Sequence, residues 1–278
     1  MSRSICMFGH IDFHTFGLAL LLTLFAGLST GIGALMAFMT RADNKRMLSW
    51  ALGLSAGVMV YISFMEMLPE AISDLQLIYS DKAGSWYGLL AFFAGIGLIA
   101  FIDWVIPESS NPHETHVDER EDYGNDPGKH QLKRQGFLLA LAIGIHNFPE
   151  GMATFVSALD GWDIALPIVF AIAVHNIPEG VAISVPIYHA TGKRSKAIWF
   201  SLLSGLAEPV GALIGGLVLL SFWTPAINGI VLAAVAGIMV YISFDELLPS
   251  AHSYGHHHAA IGGVVLGFAI MAVSLQIF

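Results

Sequence analysis

The sequence predicts an all-α polytopic membrane protein with eight transmembrane helices in a 3+2+3 arrangement and an inverted repeat. Three observations carry this. Of 278 residues, 55% are hydrophobic and only 12% charged, with a mean hydropathy of +0.69; soluble domains carry about 25% charged residues. Apolar runs long enough to cross a bilayer, ~20 residues, occur eight times. Two pairs of segments repeat within the chain. A core at this length cannot absorb so much apolar surface, so lipid must cover part of it. The single cysteine, Cys6, excludes an internal disulfide and a cysteine-based zinc site. A DNA-binding domain, a disulfide scaffold and a disordered chain are excluded, and no nucleic-acid partner is expected.

The spans fall at about 14–39, 48–70, 86–106, 136–158, 164–188, 196–220, 226–249 and 259–278, and make a single domain over 1–278. The first is too long and too glycine-rich (Gly27, Gly31, Gly33) for a cleaved signal peptide. The connector 107–135 is the one long polar loop, with Glu119, Arg120, Glu121 and Asp122 clustered in it, and is expected to be mobile. Ten of the twelve basic residues lie in the hinge 41–46, this connector and the hinge 190–197. With eight spans these three segments share one side. The positive-inside rule makes that side the cytoplasm, with both termini outside.

Residues 56–71, AGVMVYISFMEMLPEA, return at 236–251 as AGIMVYISFDELLPSA, with eight of the first nine positions identical. The second and seventh spans run in opposite directions in this topology, so the repeat reads as inverted, a construction common among transporters. Residues 142–151, AIGIHNFPEG, return at 171–180 as AIAVHNIPEG, in the adjacent fourth and fifth spans. The chain therefore divides into three spans, a central pair (136–188) and three more.

The central pair carries the chemistry. His146 and Glu150 are four apart and share one helix face, and His175 and Glu179 repeat the arrangement. Asn147 and Asn176 lie about 100° further round and offer amide oxygens in a neighbouring direction. Pro149 and Pro178 lack an N–H, which frees the carbonyls of Ile145 and Val174 and predicts a kink in each helix. Gly151 and Gly180 permit close approach of another backbone. A carboxylate at the bilayer centre costs roughly 3 kcal/mol on insertion scales. A shared dication is the simplest neutralising partner. Imidazole with carboxylate suits zinc, iron(II), manganese or cobalt, whereas magnesium and calcium prefer oxygen alone. Glu208, in SGLAEPVGA, adds a carboxylate from the sixth span and makes the site rich enough for two adjacent ions. Its alternative role is a helix–helix hydrogen bond.

Other polar residues are open to two readings. Glu66 and Glu246 are vestibule ligands or cap helix ends near the interface, and Met59 is a thioether donor or core packing. His113, His116 and His130 lie in the connector, and His256, His257 and His258 between the last two spans; such loops hold metal weakly or are simply solvated. An intramembrane zinc protease would need HExxH, and this chain has HNxPE with no separate base. An exporter or a metal-sensing receptor would share these ligands but not the direction of movement.

HNFPEG at 146–151 and HNIPEG at 175–180, with SGLAEP in the sixth span, closely resemble the signature of the ZIP (Zrt/Irt-like) metal transporters. MEMLPEA in the second span and VAGIMVYISFDELLP in the seventh resemble its bacterial branch. The resemblance covers all eight spans but not the connector. It implies a divalent-cation importer of the inner (cytoplasmic) membrane with a 3+2+3 fold and a binuclear site between the fourth, fifth and sixth spans. The metals it implies are zinc, with iron(II), manganese and cobalt also accepted, and it implies no catalysis. Carried over by position, His146, Glu150, His175 and Glu179 form one metal site. Asn147, Asn176, Glu179 and Glu208, with Glu150 nearby, form the other. Some ZIP proteins have Gln-Asp where this chain has His175-Asn176, which makes the second site less acidic here. The expected partners are divalent metal ions and membrane lipid, and the lipid-exposed surface permits a homodimer.

Overall fold

A computed structural model describes residues 13–39, 44–105, 162–215 and 224–277, and part of 140–159. Every regular element among these residues is helical. The elements are α1 (Phe13–Met39), α2 (Lys45–Ile62), α3 (Leu68–Ile78), α4 (Asp81–Val105), α5 (Trp162–Thr191), α6 (Arg194–Gly205), α7 (Ala207–Ile214), α8 (Pro225–Ile242), α9 (Leu248–Ser253) and α10 (His257–Ile277). A π-helical turn, Ser63–Met67, joins α2 to α3, and another, Ser243–Leu247, joins α8 to α9.

Six continuous stretches are long and apolar enough to cross a membrane: His14–Phe38, Lys45–Ile78, Asp81–Phe101, Arg194–Ile214, Pro225–Ser253 and His257–Ile277. They match the first, second, third, sixth, seventh and eighth expected spans, and α5 covers the fifth. The described residues of 140–159 are helical, and the rest of the expected fourth span lies outside the described residues, as does the connector 107–135. Helices suit such a chain because their backbone groups bond internally where no water is available. Asn44 accepts the Met47 N–H to start α2, and Thr224 accepts that of Ile227 ahead of Pro225 to start α8. Gly192 and Gly255, at φ 66° and 79°, end helices in a backbone region that side chains disfavour.

Large apolar side chains such as Leu21, Phe93, Leu90, Trp104 and Val265 face outward, while Thr23, Ser55, Ser63, Ser201 and Ser243 are buried. The bundle is apolar outside and locally polar inside, as lipid requires. One core group joins α2, α4, α8 and α10 through Met59, Ile62, Phe92, Met239, Ile242 and Met271. A second joins α1, α5, α6 and the 140–159 segment. Within it α1 and α5 run parallel: Ala26 lies with Val169 and Ile172, and Phe38 stacks edge-on against Tyr188 at 5.0 Å. The 140–159 segment runs the opposite way, with Ala140 and Ile143 beside Ile183 and Ile187, and Phe155 beside Phe16.

Helix contacts come in matched pairs. A Cβ on Gly57 of α2 would run into the carbonyl oxygen of Val264 on α10, and one on Gly237 of α8 into that of Phe92 on α4. Gly267 meets the Leu54 carbonyl just as Gly95 meets that of Ala234. Each pair converts into the other by adding 180 on one helix and subtracting 172 on its partner. Gly27 of α1 and Gly205 of α6 face one another directly, each against the other's carbonyl.

These contacts give a clear contrast. Gly237→Ala pushes a methyl into the Phe92 carbonyl and should cost about 1–3 kcal/mol, typical of overpacking. Gly97→Ala meets nothing within 4 Å and should be neutral or stabilise by up to about 1 kcal/mol through helix propensity. Thermal unfolding of the detergent-solubilised chain checks this; equal melting temperatures for the two variants would contradict the packing described.

Candidate metal centre

The centre forms where α5, the 140–159 segment and the start of α7 meet α1. Glycine sets the spacing. Gly180 sits against the Thr30 carbonyl and Gly151 against the backbone of Glu208, so neither position tolerates a side chain. The helices are thereby close enough for short polar side chains to reach across. Pro178 leaves α5 unbroken.

Within this space His175, Asn147, Asn176 and Glu208 are fully buried, and Glu150 and Glu179 nearly so. His175 Nε2 lies 2.9 Å from Glu150 Oε1, across two elements. Two ligands of one tetrahedral zinc at ~2.0–2.1 Å stand about 3.3 Å apart. The pair would therefore open by only a few tenths of an ångström to admit an ion. Glu179 is near enough to feel both His175 and Glu150, and Glu208 to feel both other carboxylates.

The asparagines are oriented by backbone. Asn176 Nδ2 donates to the carbonyl of Ala26 at 3.0 Å, and Asn147 Nδ2 donates to that of Ser204 at 3.4 Å. A carbonyl only accepts, so each amide nitrogen is fixed toward it. Each amide oxygen then points the other way, and among the described residues neither Oδ1 accepts a hydrogen bond. Asn176 Nδ2 also donates to Glu208 Oε1, while Glu208 Oε2 takes no hydrogen bond among the described residues. The helix–helix hydrogen bond weighed for Glu208 is thus present, and one of its oxygens remains for other use.

Five of the seven candidate residues therefore converge, Glu150, His175, Asn176, Glu179 and Glu208, while Asn147 is buried with its amide held by Ser204. His146 lies outside the described residues. Among those described, no three His, Cys, Asp or Glu side chains already close on a single point as an ion would require. Glu66, half-buried, and Glu246, buried, sit in the two π turns, away from helix ends. In each turn the N–H of the following leucine (Leu68, Leu248) bonds the serine carbonyl five residues back. Single π turns of this kind recur at functional sites. Met59 is fully buried and accepts from Ser55, which makes it core.

Sequence reasoning missed the hydroxyls of Thr30 and Ser204, both buried beside this centre. A signal was available. GLSTGIGAL at 27–35 and GLAEPVGAL at 205–213 share five of nine positions, which sets Thr30 opposite Glu208. Neither π turn was foreseen either.

A helical bundle with an apolar exterior and several membrane-length helices, enclosing a buried group of carboxylates, imidazole and amides, defines a membrane protein with a polar centre. The family described as ZIP Zinc transporter matches residues 105–275. A protein named Zinc transporter ZupT from Streptococcus mutans is 57% identical over 260 residues, 94% of this chain and 97% of its own length. A second of that name from Clostridium perfringens is 52% identical over 273 residues, 94% of this chain and 96% of the relative. A third, from Corynebacterium aurimucosum, is 51% identical over 269 residues, 96% and 100%. The chain belongs to the ZIP family. Its relatives are transporters, not enzymes.

The geometry sets what Asn176→Asp should do. The carboxylate would lose the donor to Ala26 and face Glu208, so without metal the variant should be less stable by about 1–3 kcal/mol, the cost of a buried group left unsatisfied. Bound zinc should offset the added charge. Thermal unfolding with and without zinc should therefore show a larger zinc-induced shift for the variant than for the wild type; equal metal-free stability would contradict the assigned amide orientation.

Proposed function

We propose that this chain imports zinc, and with less selectivity iron(II), manganese and cobalt, across the inner membrane into the cytoplasm. The observation that carries the reading is the convergence of His175, Glu150, Glu179, Glu208 and Asn176 in the buried centre of a ZIP chain. The three sampled relatives all carry the name Zinc transporter. Imidazole with carboxylate is the donor set that suits this group of metals.

In this reading the fold is eight helices arranged 3+2+3 about an inverted repeat. The matched glycine contacts and the reciprocal Gly27–Gly205 approach support a two-fold relation. Parallel α1 and α5 support a fourth crossing, because α4 alone cannot return the chain to the start of α5. The described residues of 140–159 run in the required direction. Both termini lie outside, the basic hinges inside, and the exposed apolar surface accommodates lipid and a homodimer.

The centre is binuclear. His146, Glu150, His175 and Glu179 hold one ion; Asn147, Asn176, Glu179 and Glu208, with Glu150 nearby, hold the other. An ion enters from outside past Glu66, sheds water and binds. The two core groups then move against each other and open the site to the cytoplasm, which is alternating access. Deprotonated ligands are needed for binding, so affinity falls as pH is lowered.

Uptake by proteoliposomes tests this. Wild type should accumulate zinc, His175→Ala and Glu179→Ala should lose most of the rate, and Glu208→Ala should change metal preference or weaken the second ion. Zinc movement at wild-type rates in both the His175 and Glu179 variants would overturn the central site.

A further inference from the structure

We propose that the turn between the last two spans carries a separate metal site, a two-imidazole clamp of His252 and His257 that takes a borderline divalent cation such as zinc. His252 lies in the last turn of α9 and His257 opens α10. Gly255, at φ 79°, reverses the chain between them, and its N–H bonds the His252 carbonyl at 2.9 Å. The two rings are thereby brought to 4.8 Å between centroids with a tilt of 37°. Two imidazoles on one tetrahedral zinc, with Zn–N of ~2.0–2.1 Å, have centroids about 5 Å apart. His258 instead stands edge-on to His257, at 5.6 Å and 67°.

A second observation concerns the proton. His252 Nδ1 lies 2.7 Å from the Leu248 carbonyl oxygen. That oxygen can only accept, so Nδ1 holds the hydrogen and Nε2 carries the lone pair. Metal-binding histidines are commonly oriented in this way, by donating the other ring N–H to a carbonyl. The turn is also anchored. Tyr254 packs against an apolar group that includes Ala37, Leu48 and Val185, which ties the turn to α1, α2 and α5.

His252 is half-buried and His257 exposed, so the clamp is preorganised on one side and open to water on the other. Two protein ligands leave further positions for water, which makes the ion exchangeable. The turn shares its end of the bundle with Lys45, Arg46, Lys193 and Arg194. On the import reading above, this is the side on which ions are released.

Residue-resolved carbethoxylation with diethylpyrocarbonate, which attacks the unprotonated ring nitrogen, tests the clamp in the full-length solubilised chain. Zinc should slow modification of His252 and His257 severalfold and leave His256 and His258 unchanged. His252→Gln should abolish protection at His257; if that variant melts early, His257→Gln with His252 as the reporter replaces it. Protection should persist in Glu179→Ala, so failure of the central site and failure of the clamp give different results. No protection at His252 and His257, equal protection of all four histidines, or protection of either ring surviving loss of its partner would overturn the proposal.

Discussion

The interior is built around the burial of Glu150, Glu179 and Glu208, three carboxylates within electrostatic reach of one another in a space that excludes solvent. Each would cost roughly 3 kcal/mol on insertion scales even alone at mid-membrane depth. His175 approaches Glu150 at 2.9 Å and Asn176 donates a hydrogen bond to Glu208, but one imidazole and one amide do not balance three carboxylates. A dication does. The asparagines add acceptors as well: Asn147 and Asn176 donate to the Ser204 and Ala26 carbonyls, and neither amide oxygen accepts a hydrogen bond among the described residues.

Such a centre exists only if helices approach closely, and small residues supply the approach. Gly151 and Gly180 admit the backbones of Glu208 and Thr30, and Gly27 and Gly205 admit each other. Lipid offers no hydrophobic drive between helices, so packing of this kind takes over its role. The same residues that let the helices touch therefore decide where the ligands meet. Packing and site geometry are one constraint here.

Much of this was legible before any coordinates. Apolar runs located the six membrane-length helices among the described residues because a bilayer imposes a length on each. Paired HNxPEG motifs directed attention to the segments that bury Glu150, His175 and Glu179, because histidine and glutamate four apart must share a helix face. What sequence could not give was orientation: nothing in Asn176 reveals that its amide nitrogen is held by Ala26, 150 positions away. The π turns were also hidden, since Pro69 and Pro249 mark a disturbed helix without saying that the ladder shifts to five residues. Thr30 and Ser204 were overlooked for a different reason. Hydroxyls are common in membrane helices, and only the partial match of 27–35 to 205–213 sets them apart.

The claim that a cation balances the buried carboxylates is tested most directly by anomalous diffraction at the zinc edge from crystals of the full chain grown with zinc. The account predicts a peak within ~2.0–2.2 Å of His175 nitrogen and of Glu150 or Glu179 oxygen, the usual zinc–ligand distances. Zinc found only at surface histidines, with the central carboxylates still closed on His175 and Asn176, would contradict it.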